Sequence, residues 1–169
     1  MRERRVGQSE LTQLLAVSLF DCTYAIIFTM PNTIVVDTSV IVSALIGKRG
    51  GSREILRQCL EGKHKPLISN SLFQECEDVT KRKRILAACP LTNNEIRTLL
   101  NAYYSTCRWV PIYYLWRPNV PDEGDNFLIE LALAGNASHI ITNNISDLKN
   151  AELKFPSLQI MKPATFLRG

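Results

Sequence analysis

Short β-branched runs recur along this chain at intervals too long for hairpins and long enough for helices. That spacing constrains the fold more than any other feature. Thr33-Ile-Val-Val-Asp37 reads as a buried strand. Thr38 to Ile46 reads as a helix that Gly47-Lys-Arg-Gly-Gly51 ends. Ser52 is placed to cap a second helix running to Glu61, which Gly62 stops. Pro66-Leu-Ile-Ser69 is a second strand, and Asn70 or Ser71 caps a helix through Glu77 that continues or restarts into Lys81-Arg-Lys-Arg84. Thr92-Asn-Asn-Glu95 is a capping box opening a helix to about Cys107. Trp109 to Tyr114 is a third strand. Asp122 caps a helix to Ala134, with Gly135-Asn136 as its stop. His139-Ile-Ile-Thr142 and Leu158-Gln-Ile-Met161 are strands four and five, and Pro163 to Leu167 is a closing helix. Strands separated by helices require crossover connections, so the expected fold is α/β, with a mainly parallel central sheet of about five strands and helices on both faces.

At 169 residues, the chain is long enough for one domain with a real core. Its formal net charge of +4 permits a polyanionic partner without demanding one. Cys22, Cys59, Cys76, Cys89 and Cys107 are odd in number and form no C-x-x-C pair, which points to reduced thiols in a cytoplasmic protein rather than a zinc site or disulfide framework. His64 and His139 stand far apart without ligand-like companions.

The first 30 residues stand apart. Arg2, Arg4 and Arg5 precede an apolar stretch, Leu11 to Met30, in the manner of a signal peptide or membrane anchor. Asp21 interrupts that stretch at a cost of roughly 2.5–3.5 kcal/mol at mid-membrane, and Gln13 and Thr23 dilute it. Met30-Pro31-Asn32 sits directly before the first strand, as a natural start would. The expected division is an N-terminal extension over 1–30 and a working domain over 31–169, with no membrane partner.

Ligands of open parallel sheets bind beyond the carboxyl ends of the strands. Asp37 ends the first strand, and Glu75 follows the second by about one helical turn. Asp122 and Asp125 open the helix after the third, and Asn144 and Asp147 follow the fourth. Singly, each has an ordinary explanation: Asp37 and Asp122 as helix caps, Asp125 as a dipole partner, Glu75 as a surface residue. Their gathering on one rim is not explained that way. Clustered carboxylates repel, and hard divalent cations with oxygen ligands relieve the repulsion. Such ions also activate water against a phosphodiester, and no Ser–His or Cys–His pair offers another mechanism.

Ile34-Val-Val-Asp-Thr-Ser-Val-Ile-Val-Ser-Ala-Leu45 resembles the opening block of a PIN domain. Ile68-Ser-Asn-Ser-Leu-Phe-Gln-Glu75, Pro121-Asp-Glu-Gly-Asp-Asn-Phe-Leu-Ile-Glu-Leu-Ala132, Ile140-Ile-Thr-Asn-Asn-Ile-Ser-Asp-Leu148 and Pro163-Ala-Thr-Phe-Leu167 resemble its later blocks, in order. The pattern is similar to the bacterial toxin components of toxin–antitoxin pairs. The resemblance implies a PIN-like three-layer sandwich and a Mg2+- or Mn2+-dependent endoribonuclease. Its catalytic and metal-binding residues would fall on Asp37, Glu75 and Asp125, with Asp122 as a further metal ligand. Thr38, Ser39, Asn126, Thr142, Asn144 and Asp147 would orient those ligands. The fourth acidic position falls on the amide Asn144, which also admits an alternative: a catalytically weakened protein that binds RNA or an antitoxin. The implied partners are an RNA substrate, a cognate antitoxin protein and a second copy in a homodimer.

Lys48, Arg49 and Arg53, with Lys81, Arg82, Lys83 and Arg84, supply positive charge that a polyanion approaching an acidic centre needs. They read equally as solvated helix faces. Arg108-Trp-Val-Pro-Ile-Tyr-Tyr-Leu-Trp-Arg117 interleaves aromatics with arginine, and base stacking is one reading. Core packing or a dimer contact is preferred, because the stretch alternates as a strand would. An aspartyl-phosphate enzyme built on Asp37 is disfavoured, since Ser39 stands where a second Asp belongs.

Overall fold

Ile34, Val35 and Val36 are all essentially buried, although successive strand residues point to opposite faces of a sheet. Both faces of that strand are therefore covered. Leu67 with Ile68, and Ile140 with Ile141, repeat the pattern. The computed structural model describes residues 31–115, 126–149 and 155–169, with the backbone alone at Asp147 and Lys149. Asn32–Gly169 forms one compact unit. The apolar Leu11–Met30 stretch lies outside the described residues, among which no helix is long and apolar enough to cross a membrane.

The strands are β1 (Asn32–Val36), β2 (His64–Ile68), β3 (Arg108–Trp109), β4 (His139–Ile141) and β5 (Gln159–Met161). They form one sheet of order β3-β2-β1-β4-β5. Every pairing is parallel, with Ile34 opposite both Pro66 and His139. The all-parallel sheet with helices on both faces agrees with the sequence expectation. The chain winds from β1 outward to β2 and β3, then returns to the other side of β1 for β4 and β5. The winding thus reverses between β1 and β4, and such a reversal opens a crevice at the carboxyl rim.

The described helices are α1 (Thr38–Ile46), α2 (Gly51–Leu60), α3 (Asn70–Thr80), α4 (Lys83–Ala88), α5 (Asn93–Thr106), α6 (Asn126–Ala134), α7 (Ile145–Lys149) and α8 (Pro163–Phe166). The capping box of α5 is present in both halves: Glu95 N donates to Thr92 Oγ1 at 3.3 Å, and Thr92 N to Glu95 Oε2 at 2.8 Å. One core runs through both layers, with Ile41, Leu45 and Ile55 from α1 and α2, Leu72 and Tyr103 from α3 and α5, and Leu128 and Leu131 from α6.

Three local expectations are corrected. Ser52 does not cap α2. The helix begins two residues earlier, at Gly51 behind Gly50 at φ 131°, and no side chain caps it. A Cβ on Gly51 would come within 2.9 Å of Ala164 N, so the approach of α8 leaves no room for a side chain at the first position of α2. The cap of α3 is Ser69, whose Oγ accepts from Leu72 N at 3.3 Å, rather than Asn70 or Ser71. The third strand is two residues long instead of running to Tyr114. Val110 N still reaches Ile68 O at 2.9 Å. Beyond that point β2 has turned into α3 at Ser69, so residues 111–114 have no ladder left to join.

Candidate metal centre

The apolar β1 run ends at Asp37, and the next residue is helical. Asp37 therefore caps α1, its carboxylate accepting from Ser39 N, and it stands at the carboxyl rim of the sheet. Its backbone N–H donates to Ile141 O at 3.0 Å, across the β1–β4 reversal. Its buried carboxylate is held by three donors: Ser39 N at 3.3 Å on Oδ1, and Ser39 Oγ and Thr142 Oγ1, both at 2.5 Å, on Oδ2. Thr142 comes from the end of β4 and is itself fully buried.

Glu75 arrives from the other side. With α3 capped at Ser69, Glu75 lies near the middle of that helix and meets Thr38, whose Oγ1 donates to Glu75 Oε2 at 3.0 Å. Thr38 is the residue after Asp37, so both carboxylates converge on the start of α1. Their negative field reaches the neighbouring thiol. Burial, and secondarily the charges of Glu75 and Asp37, push Cys76 up to about 12 against a partial opposing effect of its Thr38 contact.

The loop after β4 closes the rim. Asn143 N donates to Ser39 Oγ at 3.2 Å, and Asn143 Nδ2 to Ser39 O at 3.0 Å. Asn144 N donates to Thr142 Oγ1 at 2.9 Å, while its own side chain is exposed. Asn143 was not among the sequence candidates. Nothing local marks it, because its partner is 104 residues away. Asn126 is buried at the first turn of α6. Asp122 and Asp125 lie outside the described residues, as does the side chain of Asp147.

Thus the structure brings together Asp37, Glu75, Thr38, Ser39, Thr142 and the backbone of Asn144. Every polar side-chain group it directs at Asp37 is an oxygen or a hydroxyl donor that keeps the carboxylate an acceptor. That donor chemistry fits a hard cation better than a thiolate or imidazole metal. Among the described residues, no group of three or more His, Cys, Asp or Glu side chains is close enough to hold an ion. The third carboxylate of the expected set falls on Asp125 or Asp122.

The basic residues sit on two different elements. Lys48 and Arg49 follow α1, and Arg53 Nη1 donates to Gly47 O at 3.2 Å. Arg82, Lys83 and Arg84 are exposed at the start of α4. Lys81 is already engaged, its Nζ lying 3.1 Å from the largely buried Glu77. Glu77 also receives Arg97 Nη1 at 2.6 and 2.7 Å and the Tyr104 hydroxyl at 3.2 Å. Burial would raise the Glu77 carboxyl, and the Arg97 and Lys81 contacts outweigh it, holding the group below the usual carboxylate range. This cluster ties α3, which carries Glu75, to α5. Trp116 and Arg117 of the aromatic stretch lie outside the described residues, and up to Leu115 it does not pack as a core strand. Val110 is buried, whereas Tyr113 and Tyr114 are 82% and 80% exposed.

Comparison with known proteins adds family and fold. The model of a family described as PIN domain matches residues 33–146. The structure is similar to a crystal structure of VapBC2 from Rickettsia felis bound to a DNA fragment from their promoter. That match has a TM-score of 0.51 and 18% identity, and it covers 76% of this chain and 96% of the other. At that identity the likeness is one of fold. No curated protein matches the chain in sequence.

Proposed function

Because the chain belongs to the PIN-domain family, we propose that it is a divalent-metal-dependent endoribonuclease that hydrolyses RNA phosphodiester bonds and acts as the toxin of a toxin–antitoxin pair. The observation that carries this reading is the Asp37–Glu75 pair at the β1–β4 reversal, fixed by Thr142, Ser39 and Thr38. Asp37 and Glu75, with Asp125 and Asp122, would hold Mg2+ or Mn2+. What such an ion supplies when bound is a water of lowered pKa and neutralisation of charge on the phosphate. The chain's own residues do the rest. Thr142 and Ser39 point the Asp37 carboxylate, Thr38 points Glu75, and the loop carrying Asn143 and Asn144 is pinned to Ser39 and Thr142. Asn126 and Asp147 complete the group of orienting residues. The working domain begins near Met30 and acts in the cytoplasm. An antitoxin protein is the expected partner, a reading supported by the fold shared with VapBC2 of Rickettsia felis, and a homodimer is the expected assembly. Lys48, Arg49, Arg53 and the Lys81–Arg84 block are the proposed RNA contacts, with Lys81 the weakest of them because Glu77 competes for it.

The test is cleavage of unstructured RNA by purified protein with Mg2+ or Mn2+. Chelator should abolish cleavage, and Asp37→Asn should lower the rate by roughly a thousandfold or more while leaving the fold intact. Expression of the chain alone should arrest growth, and the Asp37→Asn form should not. Cleavage that survives both chelator and substitution sinks the proposal. The amide at Asn144 supports a second reading, a catalytically weakened binding protein. RNA binding without cleavage at any metal concentration would favour it.

A further inference from the structure

Glu75 and Cys76 are consecutive residues of α3, about 100° apart around the helix axis, yet both meet the same atom. Thr38 Oγ1 donates to Glu75 Oε2 at 3.0 Å and lies 3.4 Å from Cys76 Sγ. Cys76 is fully buried and Thr38 is only 3% exposed, so bulk water offers neither of them an alternative partner. The direction of the second contact follows from counting hydrogens. A threonine hydroxyl carries one hydrogen and two lone pairs. A carboxylate that serves a divalent cation is ionised and accepts only. The single Thr38 hydrogen is therefore committed to Glu75. A thiol buried among apolar side chains keeps its own hydrogen. The contact between Cys76 and Thr38 then runs from S–H to Oγ1, and the three side chains form a relay from Cys76 through Thr38 to Glu75.

We propose that Cys76 is a positioning residue of the candidate metal centre: its S–H holds the Thr38 hydroxyl in the orientation that aims its hydrogen at Glu75. The inference rests on the ribonuclease reading above and carries it one residue further, to the far side of Thr38. Thr38 needs such an anchor. Inside a helix a threonine hydroxyl can bond the carbonyl three or four residues back, which helps to set its rotamer. Thr38 is the first residue of α1, behind the extended cap Asp37, and has no preceding helical turn to meet. Its orientation is set from α3 instead, by one acceptor and one donor side by side. A role in packing alone makes the opposite prediction about substitutions. Filler at position 76 is best replaced by valine and worst by serine, which buries a hydroxyl without adding volume. A donor is best replaced by serine and is lost in alanine and valine alike.

The experiment titrates the full chain with Mn2+ in the absence of RNA, so that the centre is read without cleavage. Loss of a group that touches a ligand weakens metal binding by about 10–100-fold, and Cys76 stands one hydrogen bond further out. Cys76→Ala and Cys76→Val should therefore weaken Mn2+ binding by about three- to tenfold, while Cys76→Ser stays within about twofold of the parent. The infrared S–H stretch that disappears in Cys76→Ser should lie at the lowered frequency of a donating thiol, and it should rise in Thr38→Val. Should Cys76→Val fail to fold, serine against alanine decides. Valine binding Mn2+ as tightly as the parent, serine no better than alanine, or an S–H band that Thr38→Val leaves unmoved each overturns the relay. A parent that binds Mn2+ with all three variants alike overturns the relay and leaves the ribonuclease reading standing. A parent that neither binds Mn2+ nor cleaves RNA overturns both.

Discussion

Asp37 and Thr142 form a hydrogen bond that spans 105 residues of sequence and links the ends of β1 and β4 where the winding reverses. Thr142 Oγ1 both donates to Asp37 and accepts from Asn144 N, so its loss strands two polar groups in a buried place. Thr142→Val should cost roughly 1–3 kcal/mol in urea unfolding. It should also lower metal-dependent cleavage by about ten- to a hundredfold, while Thr142→Ser retains most of both. A valine variant as stable and as active as the parent would remove Thr142 from the site. At this scale the sequence showed part of the picture. Asp37 was legible because a carboxylate after Ile-Val-Val is unusual for a buried strand. Thr142 entered on the family resemblance. Asn143 was missed because an amide in a loop carries no local signature, and its role exists only through Ser39. The buried thiols follow from burial itself: Cys59, Cys76 and Cys107 are pushed up to about 12, as free, inert cysteines should be.

The end of α6 shows how an element can be legible while its parts are not. Gly135-Asn136 reads as a helix stop, and it is one. Ala137 N donates to Ala132 O at 2.8 Å and Asn136 N to Leu133 O at 3.2 Å, the paired bonds of a Schellman turn. The left-handed residue, however, is Asn136, at φ 52°. Gly135 is needed for room, because a Cβ there would lie 2.2 Å from Leu67 Cδ1, and Leu67 is fully buried in β2. Gly135→Ala should therefore destabilise by roughly 1–3 kcal/mol, and Leu67→Val in the same chain should recover part of the loss. Additive losses in the double variant would mean that the contact is not the cause. The sequence could not separate the two roles, since both residues tolerate the left-handed region and the reason for the glycine sits in another strand. The third strand failed for a related reason: alternation from Trp109 to Tyr114 suits a strand, but its length is set by where β2 stops.

At the scale of the molecule, α8 folds back so that the Phe166 ring meets His64 and His139 edge-on at 5.0 and 5.1 Å. Burial lowers both histidines, and for His64 the charges of His139 and Lys63 add to it. His64 Nε2 lies 2.8 Å from Gln58 Oε1, and its buried Nδ1 has no acceptor to meet if it gains a proton. Folded pKa values below the ordinary ~6.5 mean that the unfolded chain binds protons more readily. Stability is then fully present above about pH 6.5 and is lost as pH falls through the lowered values. The melting temperature should drop between pH 7 and pH 5, and His64→Gln/His139→Gln should flatten that drop. An unchanged slope in the double variant would place the acid sensitivity elsewhere. The same packing marks the division between what the chain's order of residues decides and what its folding decides. The capping box of α5, the apolar runs of β1, β2, β4 and β5 and the rim position of Asp37 are local, set by periodicity and by side chains reaching a few residues along the backbone, and these were readable directly. The sequence by itself thus determined an α/β chain with acidic groups at strand ends. Only the tertiary structure decided the order β3-β2-β1-β4-β5, the place of the reversal at Asp37, the shortness of β3 and the exposure of Tyr113 and Tyr114. Those depend on which strands meet across long stretches of chain, and contact free energy between distant segments leaves no periodic trace in either segment alone.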